Sequence, residues 1–176
     1  MVLETKNIPV VLIVGKSGSG KTRLLQKLIT VLAQRGLRAG TIKHAGHGFE
    51  MDMPGKDSRR HRQAGAVTTI ISSPSGIGML RDVNHDHKPI ELLEFFPDVD
   101  IVIAEGYKRE SLPKIEVFRP EVHKTPVCKG DKNLLALVSE AGIDLNVPRF
   151  SPDDINKITD FLINRFKLSP NISRCL

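Results

Sequence analysis

VLIVGKSGSGKT, residues 11–22, is the stretch whose reading decides the fold. Its apolar opening suits a strand buried on both faces. It runs straight into a loop carrying Gly15, Gly18 and Gly20, and residues 23–32 continue with leucines at helical spacing. Gly15-Lys16-Ser17-Gly18-Ser19-Gly20-Lys21-Thr22 therefore satisfies GxxxxGK[ST] in the strand, loop and helix context that the pattern needs. Glycines let backbone N–H groups converge on phosphate oxygens, and the helix N-terminus adds partial positive charge. Lys21 then reaches the terminal phosphates and the Thr22 hydroxyl ligates Mg2+. The competing reading is a glycine-rich turn with an incidental Lys-Thr. Lys16 has two readings as well. A lysine directly after the first glycine marks dimeric P-loop proteins in which it crosses to the partner's nucleotide, but Ser17 stands where those carry glycine. The alternative is a solvated surface lysine.

Outward from this loop, strands alternate with helices. Residues 37–43 read as a second strand, 44–56 as a long polar loop, 57–64 as a short helix stopped by Gly65, and 67–72 and 76–81 as two weaker strands. Residues 89–96 read as a short amphipathic helix with proline near its start, and 99–104 as a strand buried on both faces. Strands follow at 115–118 and 134–138, and 152–166 closes the chain as a helix with Ser151 as N-cap. This order predicts an α/β, P-loop NTPase fold: one domain over 1–176, with a mostly parallel, mixed sheet flanked by helices on both faces.

A magnesium nucleotide needs a carboxylate near its β and γ phosphates, and P-loop folds supply one at the C-terminal end of a neighbouring strand. Glu105 directly follows the strand expected at 99–104, and Gly106 lets the chain turn past the site. The alternative is a strand-end charge facing water. Asp100 belongs at the far end of that strand. In FEMDMPGKDS, residues 49–58, Asp52 reads either as a carboxylate reaching Mg2+ through water or as an ordinary solvated loop residue, and Asp57 as a cap for the next helix.

Lys43, His44 and His47 close the second strand near the expected phosphates. A zinc site needs a further ligand that is not apparent; phosphate contact and a plain loop role remain. Lys129-Gly130-Asp131 matches the KxD core of a guanine-reading motif, with a polar turn as the alternative.

Composition narrows the partners. The 176 residues carry a formal charge of +6 with only 5% aromatics. That favours anionic ligands but offers no base-stacking platform, so a phosphorylated small molecule is preferred to nucleic acid. Apolar runs are strand-sized, which predicts no membrane span, and no signal segment is apparent, which predicts a cytoplasmic protein. Cys128 and Cys175 lie far apart without a CxxC and read as reduced thiols.

The loop at Gly15, KHAGH from Lys43, DMPGKDS from Asp52, QAGA from Gln63 and IAEGYKRESLPKIEVFR from Ile103 together resemble the molybdopterin-guanine dinucleotide biosynthesis protein B family over roughly residues 8–140. The resemblance implies a homodimeric GTP-binding adaptor with weak GTPase activity. Such a protein works beside the guanylyltransferase that makes the molybdopterin guanine dinucleotide form of molybdenum cofactor, and beside recipient molybdoenzymes. It also implies that Gly15 to Thr22 bind the nucleotide phosphates, that Asp52 and Glu105 sit near Mg2+, and that the loop 54–58 responds to ligand. Two further readings stand beside it: a small-molecule kinase, and a module that binds a phosphorylated pterin dinucleotide without hydrolysis.

Overall fold

A computed structural model describes residues 8–170, in two compact units: one formed by the chain up to His44 and from Lys88 onward, the other by Ala45–His87. Cys175 lies outside the described residues.

The first unit is built on a six-stranded sheet in the order β2 (Ala39–Lys43), β5 (Ile101–Glu105), β1 (Val10–Val14), β6 (Lys114–Val117), β7 (Leu134–Val138), β8 (Arg149–Phe150). Every neighbouring pair in it is parallel. All C-terminal strand ends therefore lie along one edge, where ligands bind in open α/β sheets. β1 and β5 are buried throughout, as the unbroken apolar sequence of β1 and the apolar run Ile101–Ala104 of β5 require.

Alternate residues of these strands feed two cores. Val11, Ile13, Ile101, Ile103 and Ile115 meet Leu24, Leu28 and Leu32 of α1 (Lys21–Gln34) and Ile158 and Leu162 of α3 (Ile155–Phe166). The opposite side chains, Val10, Leu12, Val14, Val102 and Ala104, are covered by Leu92, Leu93 and Phe96 and by loop residues such as Tyr107 and Leu112. The first three belong to or follow the segment Pro89–Phe95, which is a 3-10 helix rather than an α-helix. Its covering ring approaches so closely that a Cβ on Gly40 would fall 2.4 Å from Phe96.

The second unit holds α2 (Asp57–Gln63) and an antiparallel hairpin of β3 (Thr68–Ser73) and β4 (Gly76–Arg81). The sequence predicts mixed pairing within one sheet; the antiparallel pair instead forms a sheet of its own. Ile70, Met79 and Ile77 share one face of it and are exposed.

Two boundaries differ for a local reason. The final helix starts at Ile155, with Asp154 rather than Ser151 at the N-cap position. The Ser151 hydroxyl accepts from Asp153 N at 3.3 Å and donates to Glu140 at 2.6 Å, while Asp154 N closes a turn onto Ser151 O at 3.0 Å. Short polar side chains thus hold this stretch in a turn, competing with the helix. β8 is absent from the sequence reading, because its length, Arg149–Phe150, is too short to show a periodicity.

Candidate functional site

The site forms where β1 ends. Gly15, Gly18 and Gly20 all take positive φ, at 142°, 77° and 99°, which winds the loop around its own N–H groups before α1 begins at Lys21. Gly15 has no space for a side chain: a Cβ there would lie 2.3 Å from Val117 O and 2.8 Å from Ser19 Oγ. No side chain caps the first turn of α1 and no acidic residue lies in it, so its N–H groups and partial positive charge face outward for an anion.

The side chains follow from that backbone. Lys21 Nζ donates to Lys16 O at 2.8 Å, bridging the loop. The Thr22 hydroxyl donates to both Glu105 oxygens, at 3.0 and 3.2 Å. Glu105 is the last residue of β5 rather than the one after it, and is 9% exposed. Parallel register sets Lys43 beside it, with Nζ 3.4 Å from Glu105 Oε1. Burial lowers the Lys21 pKa; Glu105 acts in the other direction and the Lys43 charge adds to the lowering.

The edge is clamped beside these groups. His44 N donates to Glu105 O at 3.0 Å, and the His44 ring stacks on Tyr107 at 4.4 Å. Between them Gly106 has φ 105°, where a Cβ would come 2.9 Å from His44 Cβ, and Tyr107 itself takes φ 54°. Positive φ in a tyrosine is a strained conformation of the kind concentrated at functional sites.

The residues present fit magnesium held by a nucleotide. A hydroxyl and a carboxylate within 3.0 Å are hard oxygen donors, and Mg2+ usually takes only one or two carboxylates plus phosphate oxygens and water. Among the described residues no group of three or more His, Cys, Asp or Glu could hold a metal by itself.

The structure thus brings Lys16, Lys21, Thr22, Lys43, His44 and Glu105 to one edge. Asp52 belongs to the other unit, where its Oδ1 accepts from Ser58 at 2.8 Å, its carbonyl accepts from Arg59 at 3.2 Å, and its Oδ2 is buried without a partner. Asp57 is the first residue of α2, not its cap, and pairs with Arg60 at 3.7 Å. Asp100 is at the far end of β5 as expected, accepting from Arg38 N at 2.8 Å.

Asp131 requires correction as a guanine reader. It precedes β7, so it sits before the N-terminal end of a strand whose ligand edge is at the other end. One of its oxygens takes Lys114 Nζ at 2.6 Å and the other takes Asn133 N at 2.9 Å. Burial pushes its pKa up, but the hydrogen bonds from Lys114 and Asn133 together with the charge of Lys114 outweigh this and hold the carboxyl below its ordinary range. Its acceptors are committed to the fold.

Sequence reasoning assigned no role to Lys114 or Glu116, each 1% exposed on β6. Lys114 also donates to Lys108 O and Glu110 O at 3.3 and 2.8 Å. Glu116 accepts from Val127 N and Cys128 N at 2.6 and 2.8 Å. The signal was present: in KIEV, charges alternate with apolar residues at strand period, placing both on one face. Glu116 also lines a small cleft behind the phosphate loop with Lys16, Ser19, Arg119 and His123.

No helix among the described residues is long and apolar enough to cross a membrane. The sequence profile described as molybdopterin guanine dinucleotide synthesis protein B matches residues 10–140. A molybdopterin-guanine dinucleotide biosynthesis adapter protein of Escherichia coli is 34% identical over 161 residues, 89% of this chain and 92% of that one. Its counterpart of the same name in Haemophilus influenzae is 32% identical over 169 residues, 93% of each chain. A crystal structure of molybdopterin-guanine biosynthesis protein B superposes with a TM-score of 0.71 at 27% identity, over 90% of this chain and 99% of that one. With its glycine-rich loop inside the matched span and its fold shared with a solved member, the chain belongs to the molybdopterin guanine dinucleotide synthesis protein B family, MobB.

Proposed function

We propose that the protein is a GTP-binding adapter with weak, magnesium-dependent GTPase activity that supports formation and delivery of the molybdopterin guanine dinucleotide form of molybdenum cofactor. The adapter role is supported by family membership and by the names of the relatives. The nucleotide role is carried by one observation: Thr22 of the loop and Glu105 of the adjacent strand meet at 3.0 Å. An incidental glycine-rich turn has no reason to bring a hydroxyl and a nearly buried carboxylate together at a helix N-terminus.

The chain's own groups then divide the work. Loop N–H groups from Gly15 to Thr22 hold the β and γ phosphates, and Lys21 leaves the Lys16 carbonyl to neutralise their charge. Glu105 orients water. Bound Mg2+ supplies charge neutralisation at the phosphate oxygens. Arg119 lies after β6, across β1 from Glu105, and its side chain is 3.7 Å from Glu121. Without an arginine finger, hydrolysis is slow.

The partners that fit are a guanylyltransferase and recipient molybdoenzymes, met by a homodimer. The uncovered apolar face of the β3–β4 hairpin, with Ile70, Ile77 and Met79, supports association, since such patches mark interaction surfaces.

The test mixes protein, Mg2+ and GTP or ATP with no acceptor and follows phosphate release and nucleotide affinity. Slow release, GTP preference and loss of both in Lys21→Ala are expected. Unchanged GTP affinity in Lys21→Ala overturns the site. Phosphate transfer only after a metabolite is added indicates a kinase instead.

A further inference from the structure

Two lysines and one carboxylate share the mouth of the phosphate loop, and Lys43 is the one whose position the loop does not explain. Lys21 is built into the loop, spanning to Lys16 O. Lys43 is delivered by a different element, the end of β2, where register pairs it with Glu105 and the His44 N to Glu105 O bond anchors the next residue. Gly106 and the stacked His44–Tyr107 rings hold that backbone fixed. The Lys43 side chain is the exposed partner in this arrangement.

Its contact with Glu105 is easily exchanged. The Lys43 side chain is 69% exposed while that of Glu105 is 11% exposed, so the ammonium is largely hydrated and the pair is weak. Glu105 already receives the Thr22 hydroxyl. A divalent cation beside Thr22 and Glu105 would occupy the position from which Lys43 now neutralises the carboxylate, and the two cations would repel. Two ammonium groups around one carboxylate leave an excess positive charge at a site shaped for a polyphosphate.

We propose that Lys43 is the nucleotide-free protein's internal stand-in for the divalent cation at Glu105, and that it exchanges this carboxylate for the terminal phosphate when a magnesium nucleoside triphosphate binds. Lys43 then distinguishes triphosphate from diphosphate, because only the former offers the terminal oxygens that receive it. The inference rests on the phosphate-loop reading of the site.

Fluorescence titration with mant-GTP and mant-GDP, with Mg2+ and with EDTA, tests it on the full chain. Lys43→Met is expected to weaken mant-GTP in Mg2+ by about tenfold, the size of one charge-assisted contact, and to leave mant-GDP nearly unchanged. It is also expected to lower the Mg2+ concentration that half-saturates the mant-GDP complex, since the competitor for Glu105 is gone. Lys43→Arg is expected to restore the preference for triphosphate. Equal weakening of both nucleotides, or no change in either affinity or Mg2+ requirement, overturns the exchange while leaving the loop reading intact. Wild-type protein that binds neither nucleotide overturns the loop reading, and the exchange with it.

Discussion

Thr22 and Glu105 are joined at 3.0 Å although 83 residues separate them in sequence. The contact couples the first turn of α1 to the end of β5, so that the loop lysine and the strand-end acid lie at one edge of the sheet. Replacing the acid separates charge from geometry. Glu105→Gln keeps an acceptor for the Thr22 hydroxyl but removes the negative charge facing Lys43 and Lys21. GTP binding is expected to survive, while single-turnover hydrolysis falls by about 10²-fold, the usual scale for removing one electrostatic contributor. Glu105→Ala is expected to lose the magnesium dependence of binding as well. Quantifying phosphate release and mant-GTP affinity side by side checks both; hydrolysis at the wild-type rate in Glu105→Gln removes Glu105 from the mechanism.

Gly15 is the loop glycine with the least freedom to change. Its φ of 142° acts together with the 2.3 Å separation that any added Cβ would have from Val117 O. Backbone cannot retreat from β6 without breaking the register Val14↔Glu116. Gly15→Ala is expected to cost at least about 2 kcal/mol, from conformational strain and overpacking combined. Gly18→Ala, with its nearest neighbour 4.0 Å away, carries the conformational cost alone. Urea midpoints of the two variants should therefore rank Gly15→Ala well below Gly18→Ala, and equal midpoints would mean that the contact with Val117 relaxes freely.

The sequence made some of this readable and not the rest, for physical reasons. β1, the loop and α1 are specified locally, by an apolar run, positive-φ glycines and leucines at helical period, and all lie where expected. Glu105 was legible because a strand-end acid follows from the same topology. Lys114 was missed because its meaning is non-local: an ammonium inside KIEV makes sense only when Asp131, Lys108 O and Glu110 O are seen around it. For the same reason KxD misled at Asp131, whose spacing resembles a base-reading motif but whose place in the sheet is at the wrong end. Ser151 misled in another way, since Ser-Pro-Asp-Asp carries both helix-start and turn signals and the turn prevails.

The Lys114–Asp131 pair gives an acid-stability prediction with a definite sign. Asp131 has a folded pKa below its ordinary value, so its contribution is present above the unfolded carboxyl pKa, about 3.9, and is lost as pH falls through the lower folded value. Wild-type stability should therefore decline below about pH 4 more steeply than that of Asp131→Asn, in which the titrating group is absent. At neutral pH Asp131→Asn is itself expected to be less stable, because Lys114, 2% exposed, loses the anion facing its ammonium. Thermal melts of both proteins from pH 3 to 7 check the convergence of the two curves at acid pH; parallel curves would show that the pair contributes nothing specific to acid unfolding.

Cys128 offers a separate reading of how firmly β6 holds its loop. Burial first, and then the charge of the Glu116 carboxylate, which accepts from Cys128 N at 2.8 Å, together push the thiol pKa up to about 12. At pH 8 only about one thiol in ten thousand is then ionised, against roughly one in four for a free cysteine. Iodoacetamide should accordingly modify Cys128 in the native protein about a thousandfold more slowly than in the unfolded chain, with peptide-level mass spectrometry reading this site separately from Cys175. Glu116→Gln removes the negative charge and weakens the acceptor for Val127 N and Cys128 N, so the 119–128 loop opens more often and alkylation speeds up. A native-state rate equal to the unfolded rate would mean that this loop is already open in solution, and that the two bonds to Glu116 do not hold it.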